Sequence, residues 1–205
     1  QEGKALLGSI LKDFNWGWCD YAAPGFSLAS ELFDTFGDGD YPAVIFLKNH
    51  GLIVTGDNMQ ETIALYRHVL VRLQQYIFTH KGGKFSGEPL QWTDANTAQA
   101  FLGKLLLPLF QEGQLVTHLF PDSVVFGNDV VTNRDGKFVY SEDGSINLSL
   151  TSTRQAQIIY ENLLAVHYIL AIHHHFGLTT SYLSSNDVSY ILGMEREKYR
   201  RSLNK

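Results

Sequence analysis

The stretch YPAVIFLKNHGLIVTG, residues 41–56, decides how the rest of the chain is read. After Pro42 an apolar run from Ala43 to Leu47, rich in Val, Ile and Phe and too short for a free-standing helix, reads as a buried strand. Lys48, Asn49, His50 and Gly51 interrupt the run, Leu52 to Val54 resume it, and Thr55, Gly56 and Asp57 close it with turn residues. A polar tetrad between two buried strands places backbone and an imidazole where water is excluded, so these groups need internal partners or a ligand. A lone histidine at a strand end is more often a hydrogen-bonded structural group than a metal ligand, because zinc takes three or four ligands. His50 is therefore the residue to explain.

Downstream of the tetrad, Asp57 or Asn58 is expected to cap a helix with Glu61 in its first turn, running to about His80. Met59, Ile63, Tyr66, Leu70, Leu73 and Ile77 alternate spacings of four and three, an apolar seam suited to a core or a subunit interface. His68 and His80 lie off that seam and are expected to face solvent. Upstream, residues 3–14 carry Ala5, Leu6, Ile10, Leu11 and Phe14 at helical spacing, residues 16–21 read as a strand, and Pro24 with Gly25 opens a helix over 26–36. Residues 37–40, GDGD, form a turn by composition and lack the later glutamate that a calcium loop needs.

These residues carry a resemblance. The order apolar strand, N-H-G, apolar strand, T-G-D and long amphipathic helix resembles the class II aldolase and adducin family, and Tyr21, Pro24, Gly25, Leu28 and Ala29 resemble its Y-x-x-P-G-x-x-L-A segment. The resemblance covers residues 16–80 well and the remainder loosely. It implies an α/β fold with a three-layer α/β/α core and a mostly antiparallel central sheet. It implies that residues 1–88 are the C-terminal part of such a domain, and that 89–205 form a helical extension with a small β-hairpin. It also implies that His50 is one of three histidines holding zinc, or another divalent metal, in a lyase of aldolase type acting on a small sugar phosphate; epimerases and dehydratases share the scaffold. Asn49 and the Gly51 amide would orient the imidazole. The alternative is a non-catalytic, adducin-like assembly module. Homo-oligomers, often tetramers, are expected in either case.

The family's H-x-H pair, its glutamate base and its phosphate-gripping loops would all precede Tyr21, and none is found in this sequence. The chain opens at Gln1 without a methionine and already in a helical pattern, so we expect it to be the later part of a longer polypeptide. His173, His174 and His175 do not replace the missing pair. They follow N-H-G rather than precede it, and successive helical residues point about 100° apart and cannot share one metal.

Beyond the flexible connector 81–88, a helix is expected from Thr93 or Asp94 to Phe110. Residues 119–127, LFPDSVVFG, read as a Pro-Asp turn and a short β-branched strand. Residues 137–140 and 146–150 read as a hairpin around Asp143 and Gly144. Thr151, Ser152 or Thr153 should cap a helix over 154–175, and Ser184 or Ser185 with Asp187 a last helix carrying Val188, Ile191, Leu192 and Tyr199. The P-D-x-V-V-F segment and the ending E-K-Y-R are similar to the extension of longer family members, and Asp122, Asn128 and Asp129 are read as turn formers.

Composition limits the function classes. With 205 residues, 44% hydrophobic, and a net charge of −5, the chain can bury a full core, and it has no Lys/Arg cluster dense enough to track nucleic-acid phosphates. No apolar run is long enough for a membrane span, and no signal peptide opens the chain. The single cysteine, Cys19, cannot form an internal disulfide and is read as a packing thiol, so a cytoplasmic location is expected.

Overall fold

A computed structural model of the chain describes residues 2–39, 41–80, 118–131, 138–140, 146–148 and 153–202. The chain divides into two compact units, Gln1–Gly87 and Glu88–Lys205. Both combine helices and strands, so the chain is of mixed α/β class. Among the described residues, no helix is long and apolar enough to cross a membrane.

The first unit runs α1 (Glu2–Ile10), β1 (Trp16–Cys19), α2 (Phe26–Phe36), β2 (Val44–Leu47), β3 (Gly51–Val54) and α3 (Met59–His80). Its sheet has the order β1-β2-β3. β1 pairs in parallel with β2, Trp16 opposite Val44 and Cys19 opposite Leu47, whereas β2 and β3 are antiparallel, Val44 opposite Val54 and Leu47 opposite Gly51. Against the expectation of a mostly antiparallel sheet, the described strands give one pairing of each kind. The parallel one follows from the helical crossover α2 between β1 and β2, since parallel neighbours need a long connection.

Strand alternation separates two cores. Val44 packs with Leu11 of the segment after α1 and Val69 of α3, and Trp16, Phe46 and Leu52 join them. Ile45, Leu47 and Cys19 face the other way, against Leu28, Leu32 and Phe36 of α2. α1 is shorter than its apolar stripe suggests. Residues 11–14 continue as turns, tied by Leu11 N–H to Leu7 O at 2.8 Å and Phe14 N–H to Leu11 O at 3.0 Å.

Asn58 caps α3. Its Oδ1 accepts from Glu61 N–H at 3.0 Å while its Nδ2 donates to Glu61 Oε1 at 2.7 Å. The seam expected to be core or subunit interface turns outward at its start: Met59 is 73% exposed, and Ile63 and Tyr66 are exposed with it. Val69 is the fully buried residue of the helix here, with Leu65 and the seam's own Leu73 partly buried beside it. Among the described residues, the core packs against Leu65, Val69 and Leu73 of α3, while Met59, Ile63 and Tyr66 stay exposed.

The second unit contains α4 (Pro121–Val131), a hairpin of β4 (Phe138–Tyr140) and β5 (Ile146–Leu148), α5 (Thr153–Phe176), α6 (Ser185–Gly193) and α7 (Glu195–Ser202). The hairpin is antiparallel with Tyr140 opposite Ile146; Asp143, Gly144 and the expected caps Thr151 and Ser152 lie outside the described residues. So do the expected connector 81–88 and the expected helix from 93 to 110.

Residues 119–127 are not a strand. Pro121 begins a helix, where its missing N–H costs nothing, and Asp122 sits favourably in the first turn. The Ser123 hydroxyl accepts from Phe120 N–H at 3.1 Å and Leu119 N–H at 3.3 Å, and donates to Phe120 O at 2.7 Å. Burial of Val124 and Val125 among the helices α5, α6 and α7 then overrides their β preference.

The last expected helix is two helices. Ser184 and Asp187 form a capping box on α6, but Met194 after Gly193 is extended (φ −65°, ψ 129°) and its carbonyl accepts from Glu197 and Lys198 to start α7.

Candidate functional site

The parallel register sets Cys19 opposite Leu47, so β1 and β2 end at the same edge of their sheet. Two motif segments therefore leave the sheet side by side: residues 20–25, holding Tyr21, Pro24 and Gly25, and residues 48–50, holding Lys48, Asn49 and His50. Lys48 N–H donates to Cys19 O at 3.0 Å and ties the second segment to the end of the first strand. The carboxyl ends of parallel strands are where open α/β sheets commonly place ligands.

The turn is built from backbone. His50 N–H donates to Leu47 O at 3.1 Å, closing a four-residue turn over 47–50. Asn49, its third residue, has φ 53°, and no other described non-glycine residue has a positive φ. A negative φ followed by a positive one is the sign pattern of a type II turn, whose third position favours Gly or Asn. His50 is half-buried, with Nδ1 shielded from solvent. On the neighbouring segment Gly25 takes φ 103°, a conformation open to glycine, and its carbonyl receives Ala29 N–H at 3.1 Å as α2 begins. The Tyr21 hydroxyl is likewise shielded from solvent.

Cys19 is fully buried, and burial, with Glu31 and Asp20 adding to it, pushes the thiol above its ordinary value. It stays protonated near neutrality, as a packing group does.

Among the described residues, no group of three or more His, Cys, Asp or Glu side chains could hold a metal ion. His50 contributes one imidazole where a zinc site takes at least three protein donors, so the donors described do not compose a metal centre by themselves. Asp38, in the acidic turn after α2, is exposed, and Gly37 closes that helix with its N–H on Phe33 O at 2.6 Å.

In the second unit His173 has a structural use. Its Nδ1 lies 2.8 Å from Thr180 Oγ1, and its carbonyl receives Leu178 N–H at 2.8 Å across Gly177, at φ 61°. Burial pushes the His173 imidazole below its ordinary value. The side chains of His174, His175, His167 and His80, and of Asn128 and Asp129, lie outside the described residues. His68 is exposed, as expected, with its ring edge-on to Phe14 at 5.0 Å.

Reading the sequence located both segments and His50 but missed the backbone role of Asn49. The signal was available: an Asn in second place of a polar tetrad between two strands, and so third in a turn that starts on the last strand residue, marks a turn with a positive φ. The chain matches no protein-family model, no curated protein and no solved structure.

Proposed function

We propose that this chain is the C-terminal part of a class II aldolase-like domain with a helical extension, residues 1–88 and 89–205. In this reading it serves a zinc-dependent lyase of aldolase type, or a related epimerase or dehydratase, acting on a small sugar phosphate in the cytoplasm. The observation that carries the reading is the convergence of the Tyr21 to Gly25 segment and the His50 turn at the carboxyl ends of β1 and β2. Helices on both faces of the β1-β2-β3 sheet are compatible with a three-layer core. His50 would supply one donor from a short turn anchored to two strands, and the others would come from outside the described residues. The role of this part of the chain is then to hold one imidazole in place and to keep its Nδ1 from water.

The test is metal content and affinity of the full-length natural polypeptide, measured by mass spectrometry and competition with a chelator. A bound divalent ion is expected, and His50→Ala should weaken it by at least about 10-fold, the lower end of what loss of a supporting group costs. No bound metal, or an unchanged affinity in His50→Ala, overturns the catalytic reading.

A second reading, a non-catalytic adducin-like assembly module, is favoured by one observation: Met59, Ile63 and Tyr66 put an apolar row of α3 in solvent. It expects an oligomer whose association in sedimentation experiments is indifferent to chelators and to His50→Ala.

A further inference from the structure

We infer that Asn49 is the positioning residue for His50, and that its left-handed backbone is what positions it. The inference rests on the proposed role of His50 for its functional weight, but its geometry is independent of any metal. Asn49 sits at φ 53°, immediately before His50, in a turn closed by His50 N–H on Leu47 O. The turn is held at both ends. At its start Lys48 N–H is held by Cys19 O, and at its end Gly51 is already in register with Leu47. Both flanks being fixed by the sheet, the direction in which the chain carries His50 away from β2 is set by the torsions between them, and Asn49 holds the unusual one.

L residues with a bulky or branched β carbon resist a positive φ, Asn and Asp tolerate it, and Gly adopts it freely. The backbone account thus predicts an order of variants that a side-chain account does not. If Asn49 worked through its amide, Gly would be among the worst replacements. If it works through its backbone, Gly and Asp preserve the turn, Ala distorts it and Val distorts it most.

The experiment uses the whole chain with 15N-labelled histidine and reads the His50 ring signals, assigned by their loss in His50→Ala. Asn49→Gly and Asn49→Asp should leave those signals and their exchange line widths as in the unsubstituted protein. Asn49→Ala should shift them or broaden them at least about twofold, while signals of His173 and His68 stay put and report an intact fold. Should Asn49→Ala not fold, the Gly variant still decides: His50 signals displaced or broadened at least about twofold by Asn49→Gly, against the unsubstituted protein, overturn the backbone mechanism. Disturbance of His50 by Asn49→Gly as large as by Asn49→Ala overturns the backbone mechanism, and unchanged His50 signals in Asn49→Ala overturn the positioning role. Metal affinity of His50→Ala decides the preceding functional reading separately, because the ring signals report position whether or not an ion is bound.

Discussion

The two faces of the β1-β2-β3 sheet are built to different standards. One face is covered from two sides, by the segment around Leu11 and by α3, and Leu11, Val44 and Val69 are all fully buried there. Among the described residues the other is covered by α2, and no residue of that helix is buried; Leu28, Leu32 and Phe36 are only partly so, while Phe26 is 88% exposed. The first segment of the candidate site, residues 20–25, leads directly into the thinner cover, since α2 starts where it ends. The denser packing lies on the first face, which leaves α2 freer to adjust.

The largest expected effect follows from the dense face. Leu11→Ala removes a fully buried side chain at a place where helix and sheet close around it, and should cost about 3 kcal/mol. The matching change on the other face, Leu32→Ala, removes a partly exposed side chain and should cost about 1 kcal/mol. Urea denaturation of the two variants measures the contrast. Equal losses would show that α2 packs as tightly as α3, and the division of labour between the faces would fall.

How far this arrangement could be read from the chain depends on which physical signal each part carries. The β2-β3 hairpin was legible because a polar tetrad splits an apolar run, and the caps Asn58, Ser184 and Asp187 because their side chains act on amides two or three residues away. Parallel pairing of β1 with β2 was not, since it depends on the path of α2 and leaves no mark on either strand. Which row of α3 is buried was equally hidden: Met59, Ile63, Tyr66 and Leu65, Val69 are both apolar at helical spacing and both lead to Leu73, and the sheet chooses between them. In α4 the β-branched pair Val124 and Val125 argued for a strand, and Pro121 with the Ser123 hydroxyl network decided for a helix. Of the site, His50 and its neighbours were visible as residue types, whereas the side-by-side exit of the two segments depends on the register of β1 and β2.

A smaller effect sharpens the comparison from within the thin face. Gly17 on β1 looks toward α2, and an added β carbon would stand 2.6 Å and 2.7 Å from the Phe36 ring and 3.0 Å from Pro42 Cγ. On a rigid face such a clash is costly, but Phe36 is partly exposed and can swing outward. Gly17→Ala should therefore cost about 1 kcal/mol, the low end for overpacking. Most of that loss should return on adding Phe36→Leu, which a double-mutant cycle resolves. A loss of about 3 kcal/mol that Phe36→Leu leaves untouched would place the strain in the β1 backbone and make this face the stiffer one.

The smallest effect concerns Cys19, the fully buried thiol between β1 and α2. If the thin cover opens locally, alkylation of Cys19 in the native protein proceeds through departures of α2 rather than through global unfolding. Leu32→Ala, weakening that cover by about 1 kcal/mol, should then speed labelling about fivefold. Leu11→Ala, though far more destabilising, should speed it less, because its contacts lie on the other face. The same thiol gives the pH dependence. Burial first, then Glu31 and Asp20, raises its pKa in the folded chain above the unfolded value of 9.0. The folded state therefore keeps a proton that the unfolded chain gives up, and the associated stability is complete below pH 9.0 and lost as pH rises through the folded value. Cys19→Ala should flatten the fall in melting temperature above that pH. Faster labelling in Leu11→Ala than in Leu32→Ala would mean that the two faces come apart together, and the contrast between them would hold only for static packing.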